Sequence, residues 1–250
     1  VNEKGTAMPI IKGGRGNYGE AVGILTLDTV FPRIPGDVGN ATTFDFPVRF
    51  SVVRGASPKR VVHEQDPALL KPFVEAAQEL EAAGCRAITT TCGFLALFQK
   101  EMAAAVGVPL FTSSLLQVPV VYRMLQPGQV IGILTAHSDA LNPRVLEAVG
   151  ADGVPHVVGG SQAAPDFYNV FVQNRDWIDT DQCESQLVAL ATGMIEAHPQ
   201  IGAFVCEGTN FSSWGRAIQQ ATRRPFFDIV TMTRWVYDAV VKPPVTGGFM

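Results

Sequence analysis

The stretch Ala21-Val-Gly-Ile-Leu-Thr-Leu-Asp28 is an apolar run ending in an acid, and its centre comes back 109 positions later: Val22-Gly-Ile-Leu-Thr26 returns as Ile131-Gly-Ile-Leu-Thr135. A short apolar run bounded by polar and turn residues reads as a buried strand. Two further likenesses keep nearly the same spacing. Thr91-Cys92, closing one expected strand, returns as Val205-Cys206, 114 positions on, and Pro109-Leu-Phe111 returns as Pro225-Phe-Phe227, 116 on. A near-constant offset across three separate strands implies a duplicated α/β unit, two lobes facing each other across a cleft.

On either side of these runs, short apolar segments alternate with helical patterns, the signature of βαβ units around a mostly parallel sheet. Phe44, Phe46, Val48, Phe50 and Val52 recur at period two and predict a second strand. Asp66-Pro67 opens a helix as cap and first residue, and Gly84 closes it. Residues 159–180 read as a loop or lid. The expected fold is therefore α/β with two pseudo-symmetric lobes, each an open, mostly parallel sheet flanked by helices, and the active site in the cleft between them. The expected division is a flexible arm over 1–20, lobes over 21–126 and 127–242, with scope for the chain to cross back near the C-terminus, and a tail over 243–250.

Composition narrows the function classes. Of 250 residues, 47% are apolar and 17% charged, which suits a packed core and excludes disorder as the main state. Lys+Arg 19 against Asp+Glu 23, net −4 and unpatterned, argues against a nucleic-acid or anionic-membrane surface. No apolar run approaches the ~20 residues of a membrane helix, and Val1–Gly19 is polar and glycine-rich without a hydrophobic signal centre. A cytoplasmic protein with free thiols is the expectation.

The cysteines are Cys85, Cys92, Cys183 and Cys206, with no Cys-x-x-Cys or histidine spacing that suggests a metal site. Cys85 and Cys183 fall in or beside expected helices and read as packing. Cys92 and Cys206 each end an expected strand and precede a helix, where open α/β sheets bind ligands and helix N-termini favour thiolates and carboxylates. Two thiols converging from opposite lobes suit proton transfer at carbon, in which one removes a proton while the other delivers one. Such chemistry requires no metal and no organic cofactor. It does require hydrogen bonds to the carboxylate beside the carbanion.

At these residues the sequence resembles the aspartate/glutamate/hydantoin racemase superfamily over essentially the whole chain. The carriers are Gly23-Ile-Leu-Thr-Leu-Asp28, Thr91-Cys92-Gly93-Phe94 and Cys206-Glu207-Gly208-Thr209. The resemblance implies a cysteine from each lobe, Cys92 and Cys206, and a homodimer or larger homo-oligomer acting on a small carboxylate. It matches Asp28 and Thr29 to the polar residues after the first strand, and Thr135 and Ser138 to those after its repeat. Gly93, Phe94, Glu207, Gly208 and Thr209 match positions that hold the substrate carboxylate. Glutamate and aspartate racemases carry Cys-Asn-Thr at the first site; here Gly93-Phe94 removes those donors and adds an apolar wall, against a strict glutamate racemase. The run Leu27-Asp-Thr-Val-Phe-Pro-Arg-Ile-Pro-Gly-Asp37 and Thr91-Cys-Gly-Phe94 look similar to the branch of algal-type dimethylsulfoniopropionate lyases. That branch shares the first step, deprotonation beside a carbonyl, and then loses a leaving group.

Arg33, in the loop after the first strand, is either a bidentate clamp for a carboxylate or a solvated loop residue. Asp37, in Pro-Gly-Asp, reads as a turn former. Of the four histidines only His137 falls near the expected cleft. Gly13–Gly19 precedes a strand instead of joining one to a helix, so it is no phosphate loop. The leading expectation is a cofactor-independent racemase using Cys92 and Cys206, the next a carbon–sulfur lyase on the same scaffold, and the third a carboxylate-binding protein without turnover.

Overall fold

A computed structural model describes residues 13–243; the remainder of the expected arm and of the tail lie outside the described residues. Two four-stranded parallel sheets dominate. In the first, β1 (Val22–Leu27), β2 (Val48–Val53), β3 (Ala87–Thr90) and β4 (Leu110–Phe111) run in the order β2-β1-β3-β4. In the second, β5 (Val130–Thr135), β6 (His156–Gly160), β7 (Ile201–Cys206) and β8 (Phe226–Phe227) run in the order β6-β5-β7-β8. The two orders are the same pattern repeated, as the duplication of Val22–Thr26 implies.

Helices α1 (Leu70–Ala83), α2 (Gln99–Ala104) and α3 (Val118–Tyr122) follow strands of the first sheet, and α4 (Pro143–Ala148), α5 (Pro165–Phe171), α6 (Thr180–Ala197) and α7 (Gly215–Thr222) those of the second. The Asp66 side chain accepts from the Ala68 N–H ahead of α1, which buries Phe73, Ala76, Ala77 and Leu80 and ends at Gly84. Asn142 caps α4, accepting from the Arg144 N–H.

The last helix, α8 (Ile229–Val240), leaves the second sheet and packs on the first. Its Ile229 and Met232 share one apolar cluster with Val22, Ile24, Ala87 and Phe111, and Tyr237 stacks on Phe46 at 3.6 Å. That explains one departure from the sequence reading. Phe44 and Phe46 alternate with Val48 because they are buried under α8; the strand itself begins only at Val48. Residues 159–180 are also more ordered than a loop, carrying the end of β6 and all of α5. A second cluster runs from Leu25 and Ile88 through Phe94 to Ile131, Val145 and Val205, so the lobes share a core. No helix among the described residues is long and apolar enough to cross a membrane.

Candidate active site

Strand register decides which residues of the two lobes are equivalent. Ile88 pairs with Leu110 and Thr89 with Phe111 in the first sheet; Phe204 pairs with Phe226 and Val205 with Phe227 in the second. Both pairs are displaced by 116 positions (Ile88 to Phe204, Thr89 to Val205). The N–H of Thr91 donates to Leu25 O at 2.9 Å, and the N–H of Glu207 donates to Leu134 O at 2.7 Å, the same relation. Under this register Thr90 matches Cys206, Thr91 matches Glu207, and Cys92 matches Gly208. The tight turns beyond the strands agree: Cys92 precedes the 3-10 turn Gly93–Phe98, and Gly208 precedes the 3-10 turn Thr209–Trp214.

This corrects the expected pairing of Cys92 with Cys206. Their offset of 114 is two short of the register, and a slip of two keeps strand alternation intact, so the pattern of the sequence conceals it. Cys206 is the last residue of β7, fully buried in an apolar cluster with Leu134, Phe204, Phe211 and Trp214. Its thiol donates to Gly208 O at 3.3 Å, as the Thr90 hydroxyl donates to Cys92 O at 3.0 Å. Cys206 thus performs the structural role of Thr90, tying a strand end to its own turn. Burial first, and then Asp228 and Glu207, hold its thiol well above the ordinary range.

Cys92 instead borders a narrow cavity of about 30 Å³ between the lobes, with Leu27, Phe31, Thr91, Gly93, Phe171, Glu207, Gly208 and Thr209. Burial, and next the Glu207 charge, push its thiol up to about 12, outweighing the nearby N–H groups of Phe94 and Leu95, which favour thiolate. Glu207 is 1% exposed. Its Oε2 accepts from Thr135 Oγ1 at 2.8 Å and the Ala136 N–H at 3.1 Å, yet burial raises the carboxyl to about 7.

The lobes touch closely here. Thr209 Oγ1 donates to Thr91 O at 2.7 Å. A Cβ on Gly93 would run into the Glu207 carbonyl and Oε1, so only glycine lets the strands' ends meet. A Cβ on Gly208 would lie 2.6 Å from the Phe211 ring. That ring fills the space a second thiol would need.

The remaining expected residues divide. Arg33 pairs with buried Asp37 at 2.9 Å, reaches Thr29 Oγ1 at 3.3 Å and Thr91 Oγ1 at 3.5 Å, and lies 4.5 Å over the Phe31 ring. It lines an adjoining cavity of about 270 Å³ with Thr29, and Leu27 and Phe31 border both spaces. Asp28 lines that space too, but is drawn to Arg54 and the Gly55 N–H. Thr135 acts through Glu207. Phe94 is buried in the shared core and is no wall of the cavity; Phe31 and Phe171 are. Ser138 belongs to a separate groove beside β6 with Gln162 and Met194. His137 packs edge-on to His63 at 5.1 Å, outside the cavity lining. Asp37 and Asn210 escaped the sequence reading as site residues. Asp37 does form a turn, through the Gly39 N–H, but it also accepts from Asn210 Nδ2 at 2.6 Å across the lobes. The four-residue spacing of Arg33 and Asp37 was the available signal.

No family model matches the chain. It is 29% identical over 237 residues to dimethylsulfoniopropionate lyase 3 of Emiliania huxleyi (strain CCMP1516), covering 91% of this chain and 61% of the relative's own length. A dimethylsulfoniopropionate lyase of Durusdinium sp. clade D is 27% identical over 234 residues, 91% of this chain and 77% of that one. Among solved structures, a mutant of arylmalonate decarboxylase in a sulfate-associated form superposes with a TM-score of 0.58 at 18% identity, covering 88% of this chain and 92% of that one. Picrophilus torridus aspartate racemase gives 0.56 at 13% identity over 89% and 94%. The resemblance to the aspartate/glutamate racemase superfamily therefore holds in the fold, and the curated relatives are lyases of the branch the sequence suggested.

Proposed function

We propose that this chain removes a proton from the carbon beside a carboxylate and expels a substituent from the next carbon, a lyase reaction rather than a racemisation. The observation that carries this reading is the pairing of Cys92 with Gly208. Racemisation needs an acid on one face of the carbanion and a base on the other; elimination needs only the base. The names of the curated relatives point to the same outcome, with a dimethylsulfoniopropionate-type substrate.

In this reading Cys92 is the thiol at the reacting carbon. Its thiolate takes the α-proton, the electrons of that C–H bond form the new C=C bond, and the C–S bond breaks with its pair on a departing neutral sulfide. Arg33, held flat by Asp37 and Phe31, binds the substrate carboxylate from the adjoining space and stabilises charge that develops there.

Proton NMR in D2O with dimethylsulfoniopropionate and related carboxylates tests this. The expected result is an alkene product. Deuterium at the α-carbon with an intact skeleton would show proton exchange without elimination, and binding without turnover would leave only a carboxylate receptor; either outcome overturns the reading. Cys92→Ala is expected to lose about 10²–10⁴-fold in rate. Cys206→Ala, once shown to be folded, is expected to remain active, and its inactivation would restore the two-thiol mechanism.

A further inference from the structure

We propose that Glu207 is the proton acceptor that ionises Cys92, the two sharing a proton across the lobe interface; this rests on the reading of Cys92 as the reacting thiol. Of the fourteen residues around the cavity, Cys92 and Glu207 are the only ones that titrate in water. The space has room for about one water, so a thiol enclosed there has no bulk base to receive its proton. Glu207 presents the means. Oε2 is held by Thr135 and Ala136, whereas Oε1 receives no hydrogen bond among the described residues and lies against Gly93, the neighbour of Cys92.

The step balances without a further reagent. The S–H bond of Cys92 breaks, an O–H bond forms at Oε1, and one negative charge moves from oxygen to sulfur. After the thiolate takes the α-proton, Glu207 releases its own to solvent when the cleft opens. The carboxyl's elevated range, about 7, leaves it ionised and able to accept at mildly alkaline pH.

Other charged or titratable groups lie around the pair. From the loop after β1, Arg33 acts on Cys92 and lowers it. From the start of α8, Asp228 acts on Cys206. His137, beyond Ala136, faces His63.

The test is the pH dependence of Cys92 alkylation by iodoacetamide in the unliganded full chain, read by peptide mass spectrometry, which needs no substrate. In a pair that shares a proton, the reactive form is set by the loss of one proton from the pair. The wild-type rate should therefore rise tenfold per pH unit to about 7 and then level off to beyond 9. In Glu207→Gln, an isostere, the levelling should vanish and the rate climb steadily through that range. Turnover of Glu207→Gln near neutral pH should fall about 10²-fold or more. A wild-type rate that climbs without a break from 7 to 9 overturns the proposal, and this outcome requires no variant to fold. So does levelling that survives in Glu207→Gln, which would assign it to another group. An absence of lyase product with the levelling present would instead strike only at the function proposed above.

Discussion

A carboxylate buried like Glu207 carries a thermodynamic signature separate from any catalytic one. Its folded-state value lies at about 7, against 4.5 for the ordinary side chain, and burial is the cause. Below about 4.5 the group is protonated in both states and contributes no penalty. As pH rises through 7, the unfolded chain has already released the proton while the folded chain must ionise a buried acid. Stability is therefore lost over that window, by about 3 kcal/mol at 1.36 kcal/mol per unit. Glu207→Gln is expected to match wild type in urea unfolding near pH 4.5 and to exceed it by up to that amount at pH 8. Equal stabilities at pH 8 would show that the carboxylate is better solvated than its burial implies. A site residue that weakens the fold at working pH is the expected mark of chemistry placed against packing.

The turns after β3 and β7 hold the site, and small differences between them decide what it can do. Gly208→Cys supplies the thiol that the twofold relation lacks, but the Phe211 ring occupies its path. The variant is expected to lose 1–3 kcal/mol to overpacking and to show no deuterium exchange at the α-carbon in D2O; rapid exchange would mean that the ring yields. At α8, Asp228 caps the helix in a reciprocal box with Thr231, and burial raises its carboxyl. Asp228→Asn keeps a good cap without the charge and should fold as stably as wild type at pH 7, whereas Asp228→Ala should lose about 1–2 kcal/mol in thermal or urea unfolding. These same elements mark what the sequence could and could not disclose. The repeated Gly-Ile-Leu-Thr revealed both sheets and their duplication, because a buried parallel strand leaves a continuous apolar run. It located Cys92 and Glu207 at strand ends. It paired Cys206 with Cys92 because a two-residue slip preserves alternation, and only the hydrogen bonds of Thr91 and Glu207 with their neighbours set the register. It misread Phe44 and Phe46 because burial under a helix from the far end of the chain looks like burial in a sheet.

Across the molecule, the lobes are closed over the site. A space of about 30 Å³ beside Cys92 admits no carboxylate of three carbons, so the substrate must part something. The shared core through Phe94 and Val145 and the strap of α8 across the first sheet bind the lobes together on the far side. On the near side the lobes meet through the end of α5 and the segment beyond it. There Phe171 meets Phe31 edge-on at 5.0 Å, and the Val30 N–H donates to Asn174 Oδ1 at 3.0 Å, joining the second lobe to the loop after β1. Asn174 lies at φ +60°, a conformation that glycine adopts freely, so Asn174→Gly removes the hydrogen bond and leaves the backbone path intact. One such bond is worth about 1 kcal/mol, about fivefold in the balance between closed and open forms. With the latch removed, KM should change little, since the closed free form and the closed complex lose the same fivefold. Cys92 in the unliganded protein should react with iodoacetamide faster by a similar factor, because the open form is more populated. Faster alkylation at a nearly unchanged KM is the expected pair: a raised KM with unchanged alkylation would mean that the free protein is already open or that Asn174 contacts substrate, and no change in either would place the opening elsewhere.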